Sequence, residues 1–336
     1  MSPLPDARGE ASALLLEHLA GAVHELPAPS AVLDVPDPLG DDDLHLALYL
    51  CYELHYRGLP GVDERWEWEP SLLRLRREWE TSFEQGLLAA LGAPDAAGAG
   101  AGDMDVALRG VLDRDDAPSL SSYLERSGSL EELLEFVIHR SAYQLKEADP
   151  HSWAIARLSG PPKAALVEIQ ADEYGGGRPE RVHAELFAVT MQELGLDRAY
   201  GAYLDRLPGV TLATVNLMSL LGLHRRWRGA IVGHLAAFEM SSSVPNRRYA
   251  NALRRLGVGP RATEFFDEHV EADAVHENLA AVDLAGGLVR LEPALAADVL
   301  WGARALVELE GRWARHLLGT WQDGRSSLLA PFPLAA

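Results

Sequence analysis

The sequence lacks the residues that several common kinds of site require. Cys51 is the only cysteine among its 336 residues, which excludes an internal disulfide and any cysteine-rich zinc or iron–sulfur site. Basic residues are also scarce, because 30 Lys and Arg against 50 Asp and Glu give a formal net charge of -20. Such a charge repels nucleic acid and anionic membranes. The short clusters RLRRE, LHRRWRG and PNRRYA do not amount to a basic domain, so we expect neither partner.

Long apolar runs are missing as well. No uninterrupted apolar stretch approaches the roughly 18 residues of a membrane-spanning helix. The first residues, MSPLPDARGEASALLLEHLAG, lack the basic-then-apolar order of a signal peptide. Together these absences predict a cytoplasmic protein. In contrast, 48% hydrophobic and 24% charged residues describe a well-buried globular chain.

Clear strand alternation is also missing, whereas helical periodicity recurs along the chain. Gly- and Pro-containing stretches such as RGLPGVD and LSGPPK separate the periodic segments. The pattern predicts an all-α bundle. The predicted helices cover residues 9–25, 41–57, 69–91, 129–148, 162–173, 179–195, 198–206, 210–223, 226–242, 246–256, 260–281 and 292–319.

Residues 93–128 begin with GAPDAAGAGAGD and are predicted to form a flexible connection. They divide the chain into an N-terminal helical extension, 1–92, and a core, 129–336. We expect the extension to pack on the core as one compact unit, and no repeat of fixed period is evident.

The segment FFDEHVEADAVHENLA carries His269, Asp273 and His276 on one helix face. At 3.6 residues per turn, Asp273 lies about 40° from His269, and His276 about 20° on the other side. Phe265 and Phe266 share that face, so the three polar side chains point towards the core. A metal ion would satisfy all three together. A His–Asp–His hydrogen-bond cluster is the alternative.

A second candidate segment is EIQADEYGGGRPERVHAELF. Glu173 closes one predicted helix, three glycines turn the chain, and His183 lies on the next helix. The glycines permit a sharp reversal with positive φ, which would bring Glu173 and His183 together. Glu168 and Asp172 are rivals to Glu173, and an ordinary helix-breaking loop is the alternative reading of the whole segment.

A third candidate lies in the predicted helix 129–148. Leu133, Phe136, Arg140, Tyr143 and Glu147 recur at helical spacing, which would aim Glu147 inward from the last turn. The pair Glu135 and His139 competes on another face, and an exposed terminal glutamate is the alternative for Glu147.

These motifs resemble those of the haem-oxygenase-like diiron oxidases and oxygenases, also called iron-containing redox enzymes, over about residues 130–285. The resemblance rests on HVEADAVH, on DEYGGGRPERVH and on the long separation of His183 from His269. It implies a haem-oxygenase-like helical bundle. In the N-oxygenase branch, histidines and carboxylates from three core helices hold two irons. Carried over by position, the ligands would be Glu147, Glu173, His183, His269, Asp273 and His276. Relatives that draw a Glu and a His from the first core helix bring in Glu132, Glu135 and His139.

The resemblance implies two Fe ions, O2 as cosubstrate, an electron donor and a small amine or amino-acid-like substrate. N-oxygenation through a peroxo level of O2 is the expected reaction, in a biosynthetic role. Imidazole and oxygen ligands without thiolate suit non-haem iron or manganese. A hydrolytic two-metal site is a further alternative, which the resemblance and the lack of phosphate-binding Gly–Lys signatures place below oxidation. An oxidative lyase or desaturase is the alternative, and a non-catalytic helical metal-binding protein is the second alternative. A haem would leave the inward carboxylates unexplained.

Several polar residues are candidates for catalysis or substrate contact. Glu173, Tyr143 and Arg140 are the catalytic candidates, and Tyr174, Arg178, His234 and Glu239 are further contact candidates. We expect His234 to be a core histidine satisfied by a hydrogen bond. The small residues Gly229, Gly233, Ala236 and Ala237 indicate close helix packing. A homodimer is an open alternative to a monomer.

Overall fold

The computed structural model describes residues 4–27, 35–95 and 103–331, and within these ranges the protein is all-α, without strands. This confirms the predicted fold class. The described α-helices are α1 (Glu10–Leu19), α2 (Asp42–Glu53), α3 (Pro70–Leu91), α4 (Met104–Leu112), α5 (Leu120–Arg126), α6 (Leu130–Gln144), α7 (Asp149–Ser152), α8 (Gly160–Glu173), α9 (His183–Glu193), α10 (Gly209–Leu223), α11 (Arg228–Arg255), α12 (Glu264–Asn278), α13 (Gly286–Leu291) and α14 (Ala296–Gln322).

Helix α11 lies at the centre of the fold and packs most extensively against α14 and α12. Two glycines permit the close crossing with α14. A Cβ on Gly233 would stand 1.8 Å from the carbonyl oxygen of Val299, and a Cβ on Gly302 would stand 1.9 Å from that of Ala230. The expected role of Gly233 in close helix packing is therefore observed.

The predicted break between 242 and 246 is absent, because α11 continues through Pro245. Proline removes one backbone hydrogen bond but does not always end a helix. Near it, the Ser241 and Ser242 hydroxyls donate to the carbonyl oxygens of Ala237 and Glu239. Helix α11 packs against α5 as well as against α12 and α14, so tertiary contacts hold its length.

Two other predictions differ from the structure. The described part of the predicted flexible connection, 103–128, contains α4 and α5, whose apolar residues Met104, Leu108 and Leu124 are buried. Their packing against α11 and α14 overrides the turn-like composition. The predicted helix at 198–206 is reduced to a 3-10 turn, Leu204–Arg206.

Helix α6 ends earlier than predicted, and this shapes the candidate site. A capping box between Ser129 and Glu132 starts the helix. It ends at Gln144, after which residues 145–148, called here the 145–148 turn, lead into α7. Ala148 has a φ of 72°, a left-handed conformation that non-glycine residues rarely adopt. Glu147 thus lies in a strained turn and not in a last helical turn.

The N-terminal helices cover one side of the core. Helix α2 packs on α10, and α3 contacts α14. The boundary between extension and core stays a prediction. Within the described ranges, no helix combines the length and the apolar content needed to cross a membrane.

Candidate metal centre

Helix α12 supplies two buried histidines, His269 and His276. Phe265 and Phe266 are buried on the same helix and turn this face towards the core. The Nδ1 of His269 lies 2.7 Å from the carbonyl oxygen of Phe265. A carbonyl only accepts hydrogen bonds, so Nδ1 carries the proton of the neutral ring. The Nε2 of His269 therefore presents a lone pair, 3.5 Å from Oε1 of Glu147.

The glycine turn brings Glu173 and His183 together. Gly175 has a φ of 68°, and a Cβ there would lie 2.7 Å from the carbonyl carbon of Arg181, so only glycine fits this reversal. The turn joins the end of α8 to the start of α9. Nδ1 of His183 lies 2.9 Å from Oε2 of Glu173, and the rings of His183 and His269 are 4.4 Å apart.

Glu147 completes the first group of side chains that could hold a metal ion. One ligand atom from each of four buried residues lies within 4.8 Å of the others: Glu147, Glu173, His183 and His269. Oε2 of Glu147 is buried and lacks a hydrogen-bond partner among the described residues. Burial raises the pKa of Glu147, an effect that the nearby His269 only partly offsets. Such a group is costly to bury without a cation.

A second group consists of Glu173, Glu239 and His276, again with ligand atoms within 4.8 Å of one another. Glu239 was expected as a substrate contact, not as a ligand. It lies on α11 and is 5% exposed, and burial raises its pKa. Its position three residues after Ala236, on the small-residue face of α11, is the sequence signal that could have identified it.

His276 lies between two carboxylates. Its Nδ1 is 3.5 Å from Oε2 of Glu239, and its Nε2 is 3.0 Å from Oδ2 of Asp172. Burial alone would lower the pKa of His276, but the hydrogen bond and charge of Glu239, together with Asp172, raise it to about 9. A carboxylate on the far nitrogen is the usual way in which proteins orient a ligating imidazole.

Asp273 also lies on α12, but its side chain falls outside the described residues. Its predicted role as a ligand stays a prediction.

The competing candidates lie elsewhere. Glu135 accepts hydrogen bonds from Trp321 and Ser327, and His139 is bonded to Thr211. Glu132 caps α6, as described above. Glu168 is exposed on α8. Buried hydrogen bonds or solvent therefore account for these side chains without a metal.

A cavity of about 290 Å³ leads to the first group and includes Glu147 and His269 in its lining. Arg140 and Glu310 also line it, joined by two hydrogen bonds of 2.9 and 2.7 Å. The Arg140 guanidinium lies 4.0 Å from the ring centre of Trp313. The other aromatic side chains of the lining are Phe136, Phe187, Phe238, Tyr249 and Phe266.

The remaining contact candidates do not line this cavity. Tyr143 lines a smaller cavity together with Glu147, Glu173 and Glu239, and burial raises its pKa well above the usual value. The Tyr174 hydroxyl donates to Asp149 at 2.8 Å, and Arg178 is exposed.

His234 is hydrogen-bonded to His151 at 3.1 Å, as expected for a satisfied core histidine.

The donor set fits iron. It contains imidazole nitrogens and carboxylate oxygens without thiolate, which suits non-haem iron. Three carboxylates would offset most of the charge of two divalent ions. Burial raises the pKa of Glu147 and of Glu239, and a cation beside them would favour their charged forms.

Comparison with known proteins agrees with this chemistry. A family profile described as iron-containing redox enzyme matches residues 134–311, more than half of the chain. The protein is also similar to a nitrosourea synthase from Streptomyces achromogenes subsp. streptozoticus. The two are 28% identical over 136 residues, 40% of this chain and 29% of that protein. The match thus spans less than a third of that relative's length. The chain belongs to the iron-containing redox enzyme family, with its haem-oxygenase-like helical fold, and is an oxidoreductase.

Proposed function

We propose that this iron-containing redox enzyme is an O2-dependent diiron oxygenase that oxidises nitrogen in a small amine or amino-acid-like substrate. The observation that carries the proposal is that Glu173 belongs to both groups of ligating side chains. A carboxylate that belongs to both groups would serve two metal positions at once.

The two proposed metal positions share Glu173 and differ in their other side chains. Glu147, Glu173, His183 and His269 would hold the first iron, and Glu173, Glu239 and His276 would hold the second. Asp273 is an additional proposed ligand of the second position. The two irons would supply the redox chemistry with O2.

Hydrogen bonds within the chain orient the proposed ligands for a cation. The bond from His269 to Phe265 fixes the tautomer whose Nε2 faces Glu147, and Asp172 orients His276. Because Glu147 and Glu239 have raised pKa values and His276 has a pKa of about 9, binding of metal displaces protons from the site.

The 290 Å³ cavity beside the first group supports a small organic substrate. Its aromatic walls exclude water and favour an apolar body, while Arg140 and Glu310 present opposite charges on one wall. An amino-acid-like substrate carries a carboxylate and an ammonium, which can pair with Arg140 and Glu310 respectively. Tyr143 keeps its proton, since burial and nearby carboxylates raise its pKa, and a neutral phenol can donate a hydrogen bond beside the ligands.

N-oxygenation is favoured by the Streptomyces relative, whose name states a nitrosourea product, a compound in which a nitrogen bears oxygen. In the first such step an amine and O2 give a hydroxylamine and water. The step consumes two electrons and two protons, so an external electron donor is required.

The proposal is tested with protein loaded anaerobically with Fe²⁺, exposed to ¹⁸O2 with a reductant and a library of amines and amino acids. We expect one substrate class to stimulate O2 uptake and to gain ¹⁸O on nitrogen, as measured by mass spectrometry. Glu173→Gln should keep the fold and at least one iron but lose turnover, and His183→Ala should lose one iron. Glu168→Gln is the matched control on the exposed face of α8.

Other outcomes would contradict the proposal in distinct ways. Products that have lost CO2 or two hydrogens without gaining ¹⁸O would identify an oxidative lyase or desaturase. Oxidation of iron without any substrate requirement would indicate a metal-binding protein. Full turnover by Glu173→Gln would show that Glu173 is not required as a shared ligand.

A further inference from the structure

Lys146, the residue before Glu147, has a side chain that is 0% exposed. Its ammonium donates a hydrogen bond to Oε1 of Glu53, which lies at the end of α2 and is also buried. The hydroxyl of Tyr200 donates to the other oxygen, Oε2 of Glu53, at 2.6 Å. A buried ion pair persists only when its geometry and its additional hydrogen bonds are good, so this contact fixes the 145–148 turn against α2.

A second contact holds the same turn. Arg57, just after α2, donates a hydrogen bond of 2.8 Å to the carbonyl oxygen of Leu145. Its guanidinium lies 4.4 Å from the ring centre of Tyr200. Consecutive residues of the turn, Leu145 and Lys146, are therefore both held from the N-terminal side of the molecule.

The other end of the turn is held from α8. Gln170 donates a hydrogen bond of 2.8 Å to the carbonyl oxygen of Ala148, the residue with the left-handed backbone. A strained conformation of this kind persists only where surrounding contacts determine it. Glu147 lies between the two fixed ends.

Lys146 and Glu147 point to opposite sides of the turn. The Lys146 ammonium lies 4.4 Å from the ring centre of Tyr56, whereas Oε1 of Glu147 lies 3.5 Å from Nε2 of His269. Fixing Lys146 on one side therefore sets where the Glu147 carboxylate lies on the other.

We propose that Glu53 and Lys146 are positioning residues for the metal centre, and that their buried ion pair holds the Glu147 carboxylate at ligand distance. The inference rests on the proposed function, since it takes Glu147 as a ligand. Glu53 lies outside residues 134–311, the part of the chain that the family profile matches. The N-terminal helices are thus part of the metal centre's support, and not only a cover over the core.

The test compares Lys146→Met with the double variant Lys146→Met/Glu53→Gln in the full chain. The single change leaves Glu53 buried without its cation and should destabilise the fold. The double change removes that unpaired charge, so thermal stability should recover while the turn stays untethered. Glu80→Gln is the control, since Glu80 is an equally buried carboxylate that contacts Tyr52, Arg76 and His224 instead of the turn.

Metal binding is measured by anaerobic titration with Fe²⁺ and by the visible spectrum of the Co²⁺-loaded protein. We expect wild type and Glu80→Gln to bind two ions with the same Co²⁺ spectrum. The double variant should be folded, should bind the first ion at least tenfold more weakly and should show an altered Co²⁺ spectrum. If the ion pair had only a structural role, metal binding would recover together with thermal stability in the double variant.

Wild-type affinity and spectrum in the folded double variant would overturn the positioning role while leaving the diiron site intact. Wild-type protein that binds no metal would overturn the proposed function and this inference with it. If the double variant does not fold, Glu53→Asp decides the matter, because the shorter side chain draws back from Lys146 without removing either charge. Weaker metal binding by folded Glu53→Asp would support the positioning role, and wild-type binding would refute it.

Discussion

Replacing Gly233 with alanine should destabilise the protein by forcing α11 and α14 apart. The added Cβ would stand 1.8 Å from the carbonyl oxygen of Val299, whereas ordinary van der Waals contact begins at 3.4 Å. The helices would have to separate by the difference, about 1.6 Å. A backbone carbonyl has no rotamer into which it could move, so the clash can be relieved only by a shift of a whole helix.

The size of the effect follows from two opposing contributions. Overpacking in a core costs about 1–3 kcal/mol, and a clash with a helix backbone belongs at the upper end. Alanine's better helix propensity offsets about 1 kcal/mol of this. We expect a net loss of about 2 kcal/mol in the free energy of unfolding. Because Glu239 lies further along α11, the shift should also weaken binding at the second metal position.

Denaturant unfolding of the metal-free protein measures the first effect, and Fe²⁺ titration measures the second. Gly319→Ala is the matched control, since Gly319 is an exposed glycine of α14 whose added Cβ would meet nothing within 4 Å. The control should stabilise the protein by up to about 1 kcal/mol. If Gly233→Ala unfolds at the wild-type midpoint or above it, the close crossing of α11 and α14 is not as described.

Three further changes test the centre itself. Glu239→Gln removes a carboxylate from the second group only, so the variant should bind one iron fewer, counted by metal analysis; two tightly bound irons would exclude Glu239 as a ligand. In the metal-free protein the pKa of His276 is raised from 6.5 to about 9, so its contribution to stability is fully present below pH 6.5 and is lost as the pH rises towards 9. The shift corresponds to roughly 3 kcal/mol, which we discount to about 2 kcal/mol because Asp172 is exposed and solvent screens that pairing. The urea concentration at the unfolding midpoint should therefore decrease as the pH is raised from 6.5 to 9, and an unchanged midpoint would contradict this. Ala148→Gly removes the strain of a positive φ and should raise the free energy of unfolding by up to about 1 kcal/mol, whereas a clear loss in denaturant unfolding would show that the strain is absent.

The sequence predicted the proximity of candidate side chains best where they lie within one continuous segment. His269 and His276 were found because helical spacing places them on one face with Phe265. Glu173 and His183 were predicted to lie close together because three glycines between them permit a sharp reversal of the chain. In both cases the information is local, and the structure brings these residues together.

The sequence was less informative where separate helices meet. Glu147 was expected at the end of a helix, but α6 ends at Gln144 and a strained turn carries the carboxylate instead. Glu239 was not expected as a ligand, because the spacing along α11 does not show which other helix its face meets. Separate helices were predicted at 226–242 and 246–256, whereas α11 continues through Pro245 and packs against α5, α12 and α14. Tertiary contacts determine each of these features, and local sequence periodicity does not predict such contacts.

The position of Asp172 gives the second group of side chains different access to solvent from that of the first group. Asp172 is 62% exposed and bonded to the buried His276, so a charged path of one carboxylate and one imidazole joins solvent to the second group. Among the described residues, the first group borders the 290 Å³ cavity, whose lining combines aromatic side chains with the Arg140–Glu310 pair. A hydrated cation loses less favourable solvation beside Asp172 and His276, whereas the apolar part of an organic molecule is stabilised by contact with the aromatic walls of the cavity. Under the proposed function, we therefore expect metal to load past Asp172 and substrate to enter through the 290 Å³ cavity, by separate routes.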